Sequence, residues 1–359
     1  MLDRKQQEPI LMVENLSVGF EGSRGSMKIL EGVEFSLYAG EVLALVGETG
    51  CGKSVTARSL LDLIPRLSRE RSGRVCFGGK NLLNLSNREL GRVRGKSIAM
   101  IFQNPQSSIN PVFTLGEQMF RLIRMYLRDE IKQTSRKHHL TEKGAVYKIA
   151  QAKLAEVGLT ETDRLLKSYA HEISGGMAQR YKIALALLSS PEILIADEAT
   201  SALDVTVQAH ILKLLKTMSQ NKGTAILFIT HDLGIAAQIC DRVAVMYSGH
   251  IVEIAETLDI FQNPLHPYTR GLLDAVPKLG KKNPLHFIPG MIPDLSNPPE
   301  GCRFHPRCDQ CMEICRSQKP HYAGARKDHV VACHLYGTNT ERAGIMNTGN
   351  QTAIVSEFK

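Results

Sequence analysis

The stretch Gly47–Glu48–Thr49–Gly50–Cys51–Gly52–Lys53–Ser54 decides the fold of this 359-residue chain. It fits the pattern G-x-x-x-x-G-K-[ST] and stands between a short apolar run, Glu41 to Val46, and a helical pattern from Val55 to Ile64. Glycines let successive backbone N–H groups turn inward around an anion, and the following helix adds partial positive charge at its N-terminus. The flanking strand and helix argue against a chance glycine turn. The stretch predicts a phosphate-binding loop, called the phosphate loop below, in which Lys53 reaches the β- and γ-phosphates and Ser54 binds Mg²⁺.

Two carboxylates follow another apolar run. Ile193 to Ala196 are four apolar residues, and Asp197 and Glu198 come directly after them. Because α/β folds hold ligands at the C-terminal ends of their strands, acids placed there are candidates for catalysis. We expect Asp197 to hold Mg²⁺ and Glu198 to orient and polarise an attacking water. The alternative is an acidic pair that caps a helix after a core strand.

Composition and charge exclude several classes of protein. Hydrophobic residues make up 43% and charged residues 22% of the chain, so a mostly disordered protein is excluded. No apolar run approaches the roughly 18 residues of a membrane-spanning helix, and the first ten residues lack the apolar part of a signal peptide. We therefore expect the chain to stay in the compartment where it is made. The formal charge of +8 fits a nucleotide, an anionic membrane surface or nucleic acid as partner.

The apolar runs predict an α/β fold. Ile193 to Ala196, Ala225 to Ile229 and Val243 to Met246 alternate with helical segments, as in a mostly parallel sheet covered by helices on both faces. Nearer the N-terminus, Ile10 to Phe20 and the alternating stretch from Val33 to Leu37 predict two strands. A hairpin arm with its turn is predicted at residues 73–79.

The remaining sequence predicts further parts of the molecule. Residues from about 104 to 180 are polar and mostly helical, and their basic stretch from Arg128 to Lys143 is expected to be a solvated helix face. After Phe261 the prolines between Pro264 and Pro299 make regular structure unexpected, so we place a domain boundary near residue 260. Residues 338–359 are polar, and we expect a loose tail.

A second glycine-containing segment lies 20 residues before Asp197. It reads Ile173–Ser174–Gly175–Gly176–Met177, and Ser174 with two glycines at a helix N-terminus makes a second anion-binding nest. The segment resembles the signature of ATP-binding cassette (ABC) ATPases, usually written LSGGQ, with Ile173 in place of Leu and Met177 in place of Gln. In that family the nest binds the γ-phosphate of ATP held by a partner cassette. The alternative is a helix N-cap with a flexible turn.

Further positions match the same family pattern. Gln103 resembles the Q-loop glutamine that senses Mg²⁺ and the membrane partner, and Ser201–Ala202–Leu203–Asp204 resembles the D-loop at the dimer interface. His231 resembles the switch histidine that contacts the γ-phosphate. Phe20 is a candidate for the aromatic ring that stacks on adenine, and packing in the core is an equal alternative. The resemblance covers residues 10–260.

The resemblance implies a fold and a set of site residues. The fold is an ABC-type P-loop ATPase core at residues 10–260, with a mostly parallel sheet, an antiparallel β-subdomain and a helical subdomain. Glu198, His231 and Gln103 are expected to be catalytic, and Ser54, Gln103 and Asp197 to bind Mg²⁺. The residues expected to bind ATP are Gly47, Glu48, Thr49, Gly50, Cys51, Gly52, Lys53, Ser54, Phe20, Asp197, Ser174, Gly175 and Gly176.

Two further segments resemble the importers of peptides and nickel. They are residues 103–111, QNPQSSINP, and residues 263–269, NPLHPYT. The resemblance implies an ATP-hydrolysing subunit of a dipeptide or oligopeptide importer, at the cytoplasmic face of the inner membrane. Its expected partners are a second cassette, two transmembrane permease subunits and an extracytoplasmic solute-binding protein. Because His266 and Tyr268 stand between prolines, we expect them to fix the path of the chain over the cassette surface rather than to bind metal.

Other functions stay open as alternatives. The solute could be nickel or another small molecule, although the C-terminal extension favours peptides. A soluble ABC ATPase acting on nucleic acid or the ribosome is disfavoured by the single phosphate loop and the lack of sustained heptads, so we expect no nucleic-acid partner. A regulatory cassette without catalysis is disfavoured because Glu198 and His231 are both present.

Five of the eight cysteines crowd the C-terminal part of the chain. Cys302, Cys308, Cys315 and Cys333 have the spacing C-x5-C-x6-C-x17-C, and such a cluster in a cytosolic chain favours metal binding over disulfides. The surrounding residues 301–308, GCRFHPRC, resemble the C-terminal extension of peptide-importer ATPases, which in some members binds a [4Fe-4S] cluster. Zn²⁺ and reduced structural cysteines remain alternatives. We place this extension at residues 261–337 and do not expect Cys311 to be a ligand.

Overall fold

The computed structural model describes residues 7–22, 25–64, 69–103, 108–276, 287–295, 297–326 and 328–337. The chain falls into two compact units. The first unit comprises Met1–Tyr38, Val46–Leu83 and Arg242–Lys359, and the second comprises Ala39–Leu45 and Asn84–Asp241. Two predicted features, the part of the Q-loop at 104–107 and the tail at 338–359, lie outside the described residues.

The helices and strands of the described residues are numbered in chain order. The strands are β1 (Leu11–Gly22), β2 (Gly25–Leu37), β3 (Val42–Val46), β4 (Arg69–Phe77), β5 (Lys80–Asn81), β6 (Ile98–Ile101), β7 (Ile193–Asp197), β8 (Ala225–Thr230), β9 (Arg242–Tyr247), β10 (His250–Glu256), β11 (Tyr322–Arg326) and β12 (His329–Ala332). The helices are α1 (Lys53–Leu60), α2 (Asn87–Val93), α3 (Leu115–Tyr126), α4 (Arg128–His138), α5 (Glu142–Glu156), α6 (Thr162–Lys167), α7 (Gly175–Leu187), α8 (Val205–Lys222), α9 (Leu233–Ile239), α10 (Thr257–Gln262), α11 (Pro267–Asp274) and α12 (Ile314–Ser317).

The first unit contains antiparallel strands. One sheet has the order β2-β1-β4-β5, and buried Val13 of β1 lies opposite Phe35 of β2 and Val75 of β4. A second group has the order β9-β10-β12-β11, in which Ile254 of β10 pairs with Ala244 and Val330. The strands predicted near the N-terminus and at residues 73–79 are thereby confirmed, with β4 and β5 forming the hairpin.

The strands of the second unit have the order β3-β8-β7-β6, and β6, β7 and β8 run parallel. β7 runs parallel to both neighbours, with Ile195 opposite Met100 of β6 and Leu227 of β8. All five residues of β7 and all six of β8 are buried, as expected for strands covered on both faces. Because parallel strands end at the same edge, the residues that follow β6, β7 and β8 come close together.

The helical part of the second unit begins after residue 108. Thr114 starts α3 with a capping box that includes Glu117, and Thr141 caps α5. The basic residues of α4 are exposed, which confirms the predicted solvated face: Arg128, Lys132, Arg136 and Lys137. Among the described residues, no helix combines the length and apolar character that crossing a bilayer requires.

The proline-rich part of the chain is more regular than the sequence suggested. α11 begins at Pro267, and the expectation of no regular structure between Pro264 and Pro299 is wrong there. Proline is tolerated at the first helical position, since the N–H that it lacks would have no partner inside the helix. His266 caps this helix, because its Nδ1 accepts the Tyr268 N–H at 3.1 Å.

Candidate functional site

The phosphate loop connects β3 to α1 in a shape that only glycine permits at two positions. Gly50 and Gly52 have φ angles of 85° and 109°, in the left-handed region that other residues rarely adopt. At Gly47 the need is space, because a Cβ there would lie 2.2 Å from the carbonyl oxygen of Met246. These glycines explain why the motif requires its residue types. The helix expected after the loop, α1, begins at Lys53 itself.

Lys53 is already held inside the loop. Its ammonium group donates to the carbonyl oxygens of Gly47 at 2.7 Å and Glu48 at 2.9 Å, and the residue is 6% exposed. Cys51 is wholly buried beside it, and burial raises the pKa of the Cys51 thiol, so this cysteine is neutral and fills space. Ser54 is half-buried, while Thr49 and Gly50 are exposed. The loop is therefore a preformed cradle with a lysine at its centre.

Three predicted catalytic residues meet in the second unit, where β6, β7 and β8 end. The Glu198 carboxylate accepts a hydrogen bond from Gln103 Nε2 at 2.7 Å, and its other oxygen lies 3.0 Å from His231 Nδ1. The backbone of Glu198 is fixed by an N–H bond to the carbonyl of Ile229 and has a φ of 49°, a strained value for a residue other than glycine. We call Gln103, Glu198 and His231 the glutamate cluster. A carboxylate oriented in this way can position a water and accept its proton.

Asp197 ends β7 and is completely buried, one residue before Glu198. Lys182 of α7 lies within electrostatic range of it, and burial lowers the pKa of Lys182 to about 8 although Asp197 opposes the shift. Lys182 also donates to the carbonyl of Phe102, next to Gln103. No motif in the sequence marks this lysine, because only its position on α7, eight residues after Ser174, connects it with a functional segment.

The predicted signature segment forms the start of α7. The Ser174 side chain caps the helix by accepting the Met177 N–H, and Ser174 and Gly175 are exposed. Asp204 caps α8 in the same manner, through the Val207 N–H at 3.0 Å. Phe20, half-buried on β1, lies opposite Met27 of β2. An exposed helix N-terminus after a serine can bind an anion brought by another molecule.

The C-terminal extension brings the four predicted ligand cysteines into one region. The Cys302 N–H donates to the Cys315 carbonyl at 2.8 Å, and the thiols of Cys308, Cys315 and Cys333 lie within electrostatic range of the Cys302 thiol. Burial raises the pKa of Cys302 to about 12 and that of Cys308 to about 11. All eight cysteines are free thiols. In the part of the chain that the structure describes, no three His, Cys, Asp or Glu side chains are arranged to hold one metal ion.

His266 and Tyr268 fix the path of the chain from inside the molecule. His266 is 1% and Tyr268 0% exposed, so the expected location over the surface is wrong. Buried Glu253 accepts the N–H groups of Leu265 and His266 and also pairs with His329 Nε2 at 2.7 Å. The Tyr268 hydroxyl in turn accepts a hydrogen bond from the Glu48 N–H of the phosphate loop, and no sequence pattern predicts this contact.

A lysine-centred glycine loop before a helix, and an acidic strand end with its glutamine and histidine, define the class as an ATP-hydrolysing ABC cassette. Residues 30–201 match the family described as ABC transporter, and residues 252–315 match the oligopeptide/dipeptide transporter C-terminal region. The chain belongs to the ATP-binding proteins of the oligopeptide/dipeptide ABC transporter family.

Several known proteins are similar to this chain over most of its length. It is 44% identical to the probable peptide ABC transporter ATP-binding protein y4tR of Sinorhizobium fredii, over 92% of this chain and 97% of that protein. It is 43% identical to the dipeptide transport ATP-binding protein DppD of Bacillus subtilis, over 94% and 97%. Among solved structures, cbiO1 of Clostridium perfringens, part of the ABC transporter complex cbiONQ, has a TM-score of 0.55 at 27% identity and covers 72% of this chain and 92% of its own.

Proposed function

We propose that this chain hydrolyses ATP to drive the import of dipeptides or oligopeptides. The observation that carries the chemistry is the glutamate cluster, in which Gln103 and His231 hold the Glu198 carboxylate at 2.7 Å and 3.0 Å. The peptide substrate is supported by the oligopeptide/dipeptide C-terminal region at 252–315. The same match argues against nickel as the solute.

The phosphate loop is proposed to bind the triphosphate of ATP. Backbone N–H groups of the loop and Lys53 would hold the β- and γ-phosphates, and Phe20 would stack on adenine. Mg²⁺ fits oxygen donors, and Ser54, Asp197 and Gln103 supply a hydroxyl, a carboxylate and an amide oxygen. When bound, Mg²⁺ neutralises charge on the phosphate oxygens.

Glu198 is proposed to act as the residue that orients water and accepts its proton. The carboxylate is held from both sides but is 15% exposed, so a water molecule can reach it. His231 would contact the γ-phosphate, and its side chain is 57% exposed. Catalysis of this kind rests on positioning and charge, with little covalent chemistry by the protein.

The partners are proposed from the family and from the exposed start of α7. Ser174, Gly175 and Gly176 would bind the γ-phosphate of ATP held by a second cassette. Two permease subunits and an extracytoplasmic solute-binding protein would complete the importer, with this chain bound peripherally at the cytoplasmic face of the membrane. The two ATP-bound cassettes would close and then reopen after hydrolysis, which is a ligand-biased two-state change.

Peptide uptake in cells tests the proposal. Cells lacking this chain, but retaining its partners, should fail to accumulate a labelled dipeptide or short oligopeptide. The intact chain should restore uptake, and Lys53→Ala should not. Normal uptake without the chain, or with Lys53→Ala at equal expression, would contradict the proposed role.

We also propose that Cys302, Cys308, Cys315 and Cys333 hold a [4Fe-4S] cluster, with Zn²⁺ as the alternative. The support is that Cys308, Cys315 and Cys333 all lie within electrostatic range of the Cys302 thiol, and that four thiolates are the usual ligand set of such clusters. Metal binding would have to bring the four sulfurs closer together, because the described residues contain no preformed metal site. Protein purified without oxygen should contain about four irons per chain and absorb broadly in the visible range. Colourless protein with stoichiometric zinc, or with no metal, would contradict the cluster.

A further inference from the structure

Glu48, the second residue of the phosphate loop, is bound by the C-terminal extension. Its two carboxylate oxygens accept hydrogen bonds from Arg307 Nη1 at 2.7 Å and Nη2 at 3.1 Å. The two residues are 259 positions apart in the chain. A bidentate pair between guanidinium and carboxylate fixes both distance and orientation, unlike a contact through a single atom.

Arg307 itself is held rigidly. Its side chain is 4% exposed, Nε donates to the carbonyl of Pro289 at 2.9 Å, and Nη2 also reaches the carbonyl of Ile288 at 3.3 Å. The guanidinium carbon lies 5.8 Å from the centre of the Tyr247 ring. Because so many groups fix the arginine, it acts as a firm anchor for Glu48.

Tyr268 holds the backbone of the same loop residue. The Glu48 N–H donates to the Tyr268 hydroxyl at 2.9 Å. Tyr268 is wholly buried, and its ring packs 4.6 Å from Tyr247 and 5.4 Å from Phe304, measured between ring centres. One N–H group at the start of the loop is thereby fixed, which limits the conformations open to the glycines after it.

Charge gives the arginine a second effect. A carboxylate in a loop that binds a triphosphate repels the ligand, and Glu48 is only 27% exposed, so water screens it incompletely. The Arg307 guanidinium neutralises that carboxylate. Removing Arg307 alone would leave an unpaired negative charge in the loop. This should weaken ATP binding more than removing both members of the pair.

We propose that Arg307 and Tyr268 are positioning residues for nucleotide binding, which hold the phosphate loop in its binding shape through Glu48. The C-terminal extension thereby sets the affinity of the chain for ATP. This inference rests on the proposed role of the phosphate loop.

Nucleotide affinity of the full chain tests the inference. The dissociation constant of ATP with Mg²⁺ is measured by calorimetry for the unaltered chain, Arg307→Met, Glu48→Gln and the double variant. Arg307→Met should bind ATP about tenfold more weakly. The double variant should recover to within about threefold of the unaltered chain, since the unpaired charge is gone. A double variant as weak as Arg307→Met, or weaker, would overturn the neutralising role.

Arg303→Met is the matched control. Arg303 lies in the same segment between Cys302 and Cys308, is 3% exposed, and pairs with Glu31 at 2.6 Å instead of with the phosphate loop. Its replacement should destabilise the extension but leave ATP affinity within about twofold. An equal loss of ATP affinity in Arg303→Met and Arg307→Met would show general loosening and overturn the proposal.

Two further variants complete the test. Tyr268→Phe keeps the ring but leaves the Glu48 N–H without its acceptor, and should weaken ATP binding about threefold; unchanged binding would overturn the role of Tyr268. This variant also serves if Arg307→Met does not fold. Lys53→Ala separates the two proposals. If Lys53→Ala binds ATP normally, the assignment of the phosphate loop is wrong. If Lys53→Ala loses ATP binding but Arg307→Met and Tyr268→Phe both bind normally, only this inference is overturned.

Discussion

The phosphate loop and the glutamate cluster are built in contrasting ways. In the first unit, Lys53 is 6% exposed, and Glu48 is held by side chains more than 200 positions away in sequence. In the second unit, Glu198 is held by Gln103 and His231, and the His231 side chain is 57% exposed. The loop is thus held by distant, buried side chains, while the cluster is held by residues at neighbouring strand ends, one of which is largely exposed. On the proposed roles, we expect ATP affinity to depend on the phosphate loop and turnover on the glutamate cluster, so that each can be changed separately.

The largest expected effect is on turnover, from Glu198→Gln. An amide cannot accept the proton of the attacking water, so kcat for ATP hydrolysis should fall at least about 100-fold while ATP affinity stays unchanged. Steady-state phosphate release and calorimetric ATP binding measure the two quantities. Glu192→Gln, an exposed carboxylate immediately before the same strand, is the control and should leave both unchanged. Near-normal turnover in Glu198→Gln would contradict the role of Glu198 in hydrolysis, and with it the proposed difference between the two regions.

The next effect is on stability, from Glu253→Gln in the first unit. Glu253 is 0% exposed and accepts two backbone N–H groups and the His329 Nε2 bond. Hydrogen bonding lowers the pKa of this carboxyl despite its burial, so the charged form is the one the fold stabilises. The amide NH₂ of the glutamine would face backbone N–H donors that the carboxylate oxygens now accept. We expect a loss of about 3 to 4 kcal/mol in the free energy of unfolding.

Denaturant titration measures that loss. The exposed Glu300, in the same unit, gives the control variant Glu300→Gln, which should change stability by less than about 0.5 kcal/mol. Equal stability of the two variants would show that the buried carboxylate does not hold the Tyr268 segment.

The pH dependence of stability should reveal the protonation of the buried His266 imidazole. Burial is the main reason that the pKa of His266 falls from 6.5 to about 4; Glu253 opposes the shift and Arg270 adds to it. The folded state therefore prefers neutral imidazole. Its contribution is complete above about pH 6.5 and is lost as the pH falls towards about 4, by up to about 3 kcal/mol.

Comparison with His266→Asn isolates this contribution. Asparagine can still cap α11 but does not titrate, so the variant should lose less stability between pH 7 and pH 5 than the unaltered chain. The other titrating groups are the same in both proteins. Parallel stability curves, obtained from urea unfolding at each pH, would contradict the assignment.

The sequence predicted the parts of the site that follow local rules. Glu198 was foreseeable because it follows a predicted strand, and Gln103 and His231 were foreseeable through the family resemblance. That the three meet follows from the parallel strands β6, β7 and β8, which end at one edge. The phosphate loop was foreseeable from its glycines. The contacts of Tyr268 and Arg307 with Glu48 were not, because they join residues 220 and 259 positions apart and no spacing rule relates such positions.

Proline density also misled the prediction for one helix. The eight prolines from Pro264 to Pro299 outweighed the local signal of His266 followed by Pro267, which is a cap and a first helical residue. Reading each proline by its position would have found α11. Proline is disfavoured in the interior of a helix but is tolerated at its first position.

The smallest effect concerns the cap that follows His231. Asp232 Oδ1 accepts the N–H groups of Gly234 at 2.7 Å and Ile235 at 3.2 Å, which fixes the turn between β8 and α9. Asp232→Ala should cost about 1 kcal/mol of stability, and Asp232→Asn should retain most of it. If His231 depends on this turn, Asp232→Ala should also lower kcat about threefold. ATP affinity should stay unchanged, since the phosphate loop does not use this cap. A loss of stability with unchanged kcat would mean that the exposed histidine is positioned by its partners in the glutamate cluster and not by its own backbone.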